Sequence, residues 1–309
     1  MYPEIEPYDH GLLDVGDGHH VYWEVCGNPD GKPAVVLHGG PGSGCGPGAR
    51  RYFDPEAYRV VLFDQRGCGR STPHAGAPVA DLSTNTTDHL IADMERLREF
   101  LGIERWQLFG ASWGAVLGLV YAVRHPERVT EMVFAGVATG RQAEVDLLVT
   151  GLGPMFPEAH ARFRAFAGDP DDLCAAYAKL LHDPAVQDQA ADEWCAWEDA
   201  MLPLTPDDPR FDPPEYRLAF ARLVTHYWSN GSFIPDEYVL ANADRLAGIP
   251  GVVVQGELDL GNLVGTPWLL TRAWPDAELV LIRDTAHGGS AGMSEARVAA
   301  TDRFRRHPA

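Results

Sequence analysis

The sequence contains no long apolar run. Its hydrophobic stretches are short and broken by charge, and none approaches the roughly 20 residues that a membrane-spanning helix needs. The opening stretch Met1-Tyr2-Pro3-Glu4-Ile5-Glu6 has neither the basic nor the apolar segment of a secretory signal, so a cytoplasmic protein is expected. Cysteine is scarce. Cys26, Cys45, Cys68, Cys174 and Cys195 are odd in number and lack C-x-x-C spacing, which favours free thiols over disulfides or a zinc site. Positive charge is the third deficit, with 25 Lys and Arg against 44 Asp and Glu. A formal charge of −19 argues against nucleic acid and anionic membranes as partners, because both are recognised by basic surface. Small neutral or cationic substrates stay open. With 45% hydrophobic and 22% charged residues, the 309-residue chain has the balance of a globular enzyme, holding one large α/β domain with an insertion or two modest domains.

What the sequence does have is centred on Leu108-Phe109-Gly110-Ala111-Ser112-Trp113-Gly114-Ala115-Val116-Leu117-Gly118. Apolar residues run up to Gly110 and helix-compatible ones from Trp113 to Arg124, so this stretch reads as a strand, a sharp bend and a helix. The bend is G-x-S-x-G, the nucleophile elbow, in which small flanking residues let strand and helix pack closely while the serine stands clear. Ser112 is the candidate nucleophile. In isolation the pattern is equally a tight turn, and the neighbouring segments decide between the two.

Upstream, Gly11–Val15 and His20–Val25 flank Asp17-Gly18 and predict a hairpin. His19 and His20 are strand neighbours facing opposite ways, so they read as a solvent-exposed hairpin and not as a metal pair. Pro33–Leu37 predicts a buried parallel strand leading into His38-Gly39-Gly40-Pro41-Gly42-Ser43-Gly44, whose glycines let backbone N–H groups approach a ligand. Tyr58–Phe63 is a further strand, and Asp64 and Arg66 after it are expected to brace their loop. A helix over 85–101, strands at 105–110 and 129–136, and the helix from Trp113 give alternating strands and helices. That alternation predicts a parallel sheet with its loops gathered at one end.

Regularity breaks near Thr139 and returns near Gly248. Between them no strand is evident, and helices are expected at Asp171–Leu181, Ala185–Met201 and Glu215–Thr225, each with Pro near its start. The expected organisation is therefore a catalytic domain from 1–138 and 248–309, with a helical cap, or lid, over 139–247. That cap has 19 Asp and Glu against 8 Lys and Arg. Such a balance suits a cationic ligand, and a solvated acidic surface has the same composition. Beyond it, strands are expected at Pro250–Gln255 and Ala277–Ile282 and a helix from Met293 to Arg305.

A serine hydroxyl needs a base to take its proton, and the base needs an acid to fix its tautomer. Asp259 and His287, each just after one of these late strands, supply them in the order Ser, Asp, His. Asp284 is the weaker acid candidate, since it shares a loop with His287. The oxyanion hole is expected from the backbone N–H groups of Trp113 and Gly40. No metal-ligand spacing appears.

The chain resembles the proline iminopeptidases through His38-Gly39-Gly40-Pro41-Gly42, Phe63-Asp64-Gln65-Arg66-Gly67-Cys68-Gly69-Arg70-Ser71-Thr72-Pro73-His74, Asn85-Thr86-Thr87, Gly110-Ala111-Ser112-Trp113-Gly114, His125-Pro126-Glu127-Arg128-Val129 and Trp197-Glu198. The resemblance runs nearly end to end. It implies an α/β-hydrolase fold, a mostly parallel twisted sheet flanked by helices with an inserted helical cap, and no cofactor. It implies a serine aminopeptidase releasing N-terminal proline from a small peptide or amide with a free N-terminus, through an acyl-enzyme, with Ser112, Asp259 and His287 as the triad. It also places Glu198, with Trp197, where the substrate's ammonium is held. Departures from the family pattern are Ala135 in place of Arg, Val224 in place of a second lid Glu, Gly256-Glu257-Leu258-Asp259 in place of Gly-Arg-Tyr-Asp, and Ala286-His287-Gly288 in place of Gly-His-Ser. The alternative to the peptidase is an esterase or amidase on the same scaffold, with free-amine preference weakened by Val224.

Overall fold

The computed structural model describes residues 1–201 and 211–306. Eight strands form one sheet: β1 (Asp9–Gly16), β2 (His19–Gly27), β3 (Lys32–Leu37), β4 (Tyr58–Phe63), β5 (Trp106–Ser112), β6 (Val129–Val137), β7 (Gly251–Gly256) and β8 (Ala277–Ile282). Their order is β1-β2-β4-β3-β5-β6-β7-β8. β1 and β2 pair antiparallel, as do β2 and β4, and every other neighbouring pair is parallel. β6 is buried along its whole length, Thr130 and Glu131 included, as expected of a strand covered on both faces.

The helices are α1 (Thr87–Phe100), α2 (Trp113–Arg124), α3 (Gln142–Asp146), α4 (Pro157–Phe166), α5 (Leu173–Leu180), α6 (Gln187–Met201), α7 (Pro214–Ser229), α8 (Tyr238–Ala241), α9 (Gly265–Ala273) and α10 (Ala291–Phe304). α1 is capped by Thr86, whose side chain accepts the His89 N–H, and it buries Leu90, Met94 and Leu97 at helical spacing. α2 is buried from Trp113 to Val123, so it is an interior helix, apolar on all sides. One apolar cluster joins α1, α2 and α9 to the sheet, and another joins α10 to it. The sheet is therefore covered on both faces.

Among the described residues, the chain between β6 and β7 contains helices and turns and no strand; residues 202–210 of the expected cap lie outside them. This insertion has its own apolar cluster, built around Phe163, Tyr177, Trp194 and Trp197. It is tied to the sheet domain by polar bolts. Arg222 of α7 donates to the carbonyls of Ala75 and Ala77 and of Leu181. Tyr227 donates to Asn85 Oδ1 at 2.6 Å, and Asn85 in turn donates to the Arg66 carbonyl. The hairpin differs in one respect from expectation: His20 is exposed, but His19 is buried with Nε2 3.1 Å from Thr84 Oγ1.

Candidate active site

Ser112 ends β5 and immediately precedes α2, with φ 54° and ψ −123°. A positive φ on a residue bearing a side chain is strained and persists only where its surroundings impose it. The imposing contacts are steric. A Cβ on Gly114 would run into the Leu37 carbonyl, and one on Gly110 would come within 3.0 Å of the Gly114 backbone. Both glycines of the motif thus allow strand and helix to meet.

Asp259, just after β7, is buried, and His287 follows β8. His287 Nδ1 lies 2.9 Å from Asp259 Oδ2 and 3.1 Å from Oδ1. Asp259 also accepts the backbone N–H groups of Gly261 and Asn262 at 3.0 and 2.9 Å, and Gln255 Nε2 at 2.8 Å. Its carboxylate is held on every side. Asp284 is solvent-exposed. Gly136 stands beside the imidazole, where a Cβ would come within 3.1 Å of His287 Cε1.

Ser112, His287, Gly40 and Glu198 line one cavity of about 360 Å³. Gly40, after β3, has φ 112°, and a Cβ there would strike the Gly42 nitrogen. Two buried side chains brace this loop. Gln65 N–H donates to His38 Nε2 at 3.0 Å and Gln65 Nε2 to the His38 carbonyl at 3.1 Å, while Trp113 Nε1 donates to Gln65 Oε1 at 2.9 Å. The start of α2 and the glycine loop are therefore fixed relative to one another. Burial pushes the His38 pKa down, which suits an imidazole that accepts a backbone hydrogen bond. Asp64 braces the same region by accepting the Cys45 and Arg70 backbone N–H groups, and Arg66 grips Asp93 at 2.7 and 2.8 Å.

One expectation needs correction. Trp197 does not line the cavity: it is buried in the cluster of the insertion, stacked on Phe163, with Nε1 donating to the Leu148 carbonyl at 3.1 Å. Adjacent helix positions point about 100° apart, so when Glu198 faces the cavity Trp197 cannot. The aromatic side chains on the wall are instead Phe220 and Trp228 of α7 and Tyr52. The thiols of Cys45 and Cys68 also stay off this cavity's wall, donating to the carbonyls of Phe63 and Gln65, and burial raises the pKa of both. Of the family departures, Ala135 lines the cavity, whereas Val224 is fully buried in the apolar cluster of the insertion.

Gln255 and Asn262 escaped the sequence reading. Gln255 donates to Asp259 and to the Asn262 carbonyl, and accepts the Val137 N–H at 3.0 Å. Asn262 lines the cavity and donates to the Gly136 carbonyl at 2.7 Å. A signal existed for the first, because Gln255 is the one polar side chain in the apolar strand Gly251–Gly256, and a buried amide demands partners.

An elbow serine, an Asp–His pair after successive strands and a glycine loop after β3 define an α/β-hydrolase, and the family model for the alpha/beta hydrolase fold matches residues 32–290. The chain is 58% identical over 317 residues to the probable proline iminopeptidase of Streptomyces coelicolor, covering 99% of this chain and 98% of that protein. It is 44% identical over 314 residues to the proline iminopeptidase of Xylella fastidiosa, covering 98% and 99%. The chain belongs to the proline iminopeptidase family of α/β-hydrolases. The crystal structure of proline iminopeptidase from Mycobacterium smegmatis shares the fold, with a TM-score of 0.64 at 24% identity, over 96% of this chain and 97% of that one.

Proposed function

We propose that this protein is a cytoplasmic serine aminopeptidase that releases N-terminal proline from short peptides. The observation that carries the reading is the Asp259–His287 pair on the cavity that also exposes Ser112, within a chain 58% identical to a probable proline iminopeptidase. In this mechanism Ser112 Oγ attacks the carbonyl carbon of the first residue while His287 Nε2 takes the hydroxyl proton. Asp259 holds Nδ1–H, fixes the tautomer and stabilises the imidazolium. The N–H groups of Gly40 and Trp113 receive the charge that develops on the substrate oxygen. His287 returns the proton to the leaving amine, and water admitted to the acyl-enzyme repeats the sequence to free proline. Every step uses groups of the chain, so no cofactor or metal is required.

Glu198, 6% exposed on the wall of the cavity, is the group proposed to hold the substrate ammonium. The segment 139–247 then acts as a lid that supplies this carboxylate and encloses the bound substrate over Ser112. Val224 favours the second reading, an amidase or esterase with weaker demand for a free amine, because its apolar side chain provides no second carboxylate. A panel of prolyl, alanyl and leucyl anilides and esters, each with free and acetylated amine, separates the two. The aminopeptidase cleaves the free prolyl anilide fastest, and equal rates on acetylated substrates would leave the esterase reading in its place.

A further inference from the structure

Arg297 lies on α10, which packs over β6 and β7, and it forms part of the wall of the Ser112 cavity near Gly289 and Ser294. Its guanidinium carbon is 4.1 Å from the Tyr52 ring centroid and 4.4 Å from that of Phe109. Among the described residues it has no ion pair, and its Nε is buried without a hydrogen-bond partner. A neighbouring cavity shares Gly39, Tyr52, Ala111 and Arg297 with the first, and among the described residues its wall contains no acidic one. Burial pushes the guanidinium pKa down, yet arginine ionises so far above neutrality that the side chain stays charged. Ring faces offset part of the cost of removing such a charge from water, and an anion would offset more.

Among the described residues, the two charged side chains on the cavity wall apart from His287 have opposite signs: Glu198 enters from α6 of the insertion and Arg297 from α10 of the sheet domain. We infer that Arg297 is a subsite for the free C-terminal carboxylate of a dipeptide substrate, selecting dipeptides charged at both ends. The inference rests on Ser112 and Glu198 acting as proposed above. In a dipeptide the leaving nitrogen and the terminal carboxylate belong to one residue, so they lie within about 3.6 Å, one residue's reach, of each other. A guanidinium whose carbon packs on both the Tyr52 and Phe109 rings is restricted in its motion, and its N–H fork can receive such a carboxylate. A second anion, a phosphate or an acidic side chain further along a peptide, would have to reach the same spot without that fixed spacing.

The test measures kcat/KM for Pro-Ala, Pro-Ala amide and a prolyl anilide with the wild type, Arg297→Leu and Arg297→Lys. A charge-assisted, desolvated pair should favour Pro-Ala over its amide by about 10- to 150-fold in the wild type. Arg297→Leu should lose that factor on Pro-Ala alone, leaving the amide and the anilide unchanged, and Arg297→Lys should keep part of it. A wild-type ratio near one, or an equal loss on all three substrates in Arg297→Leu, overturns the subsite while leaving the aminopeptidase intact. Absence of anilide cleavage by the wild type would instead remove the aminopeptidase reading itself, and the subsite with it.

Discussion

Gln255→Leu removes a side chain that touches no substrate yet holds three parts of the site. Gln255 is fully buried, and leucine fills nearly the same volume without its hydrogen bonds. The bond to Asp259 Oδ2, being to a charged acceptor, is worth about 1.5–3 kcal/mol, and leaving the Val137 N–H and the Asn262 carbonyl unpartnered costs about 1–3 kcal/mol each. These terms share one network and do not add fully, so a stability loss of about 3–6 kcal/mol is expected. Asp259 keeps the Gly261 and Asn262 N–H groups, so its carboxylate still meets His287, but less tightly. A loosened base costs up to about 10²-fold in kcat. KM should hold, because Gln255 does not line the cavity. Urea unfolding and steady-state kinetics on a prolyl anilide read both effects. An unchanged midpoint with unchanged kcat would refute the claim that Gln255 organises the acid, and a change in KM alone would make it a substrate contact.

Ser112→Ala should lower turnover by about 10⁴-fold or more in a protein that keeps its circular dichroism, and Asp259→Asn should cost a comparable factor without adding to it. Asp284→Asn should cost little; if it proved as damaging as Asp259→Asn, the acid would be misassigned. Glu198→Gln should erase most of a preference of about 10- to 150-fold for free over acetylated amines while sparing a simple ester, and equal loss on both would make Glu198 structural. Burial depresses the folded-state pKa of His38, so below the unfolded value of about 6.5 the unfolded chain binds the extra proton. Stability should therefore be flat above pH 7 and fall below about 6.5, by at most about 1.4 kcal/mol per pH unit from this residue, and His38→Gln should flatten the fall in a plot of melting temperature against pH. Bulky thiol reagents should leave activity largely intact, since the Cys45 and Cys68 thiols lie off the cavity wall and burial keeps them protonated. Rapid inactivation would show that these loops open readily.

The parts of the molecule that were legible in the sequence are those in which one residue type has one structural use. The glycines at 110 and 114 tolerate no Cβ, and the apolar runs at 33–37, 58–63 and 129–136 have the length and burial of central strands. For the same reason Asp259 and His287 could be found from their places after strands. The helices α3, α4, α8 and α9 were not expected. α3 and α8 are too short to show periodicity, and α9 starts at Gly265 with no side-chain cap. Which neighbour in Trp197-Glu198 faces the cavity depends on the rotation of α6, set by Phe163 and Leu148 far away in sequence. Arg297 lies in an unremarkable polar helix until Tyr52 and Phe109 are folded against it.

The central claim, that Ser112 is the nucleophile of a prolyl aminopeptidase, is tested most directly by titrating the wild type with a fluorophosphonate while following prolyl-anilide hydrolysis. The modified peptide is then mapped by mass spectrometry. The account requires one adduct per chain, on Ser112, with hydrolysis lost in proportion to labelling. Hydrolysis that survives complete labelling, or an adduct on another residue accompanying the loss, would contradict it.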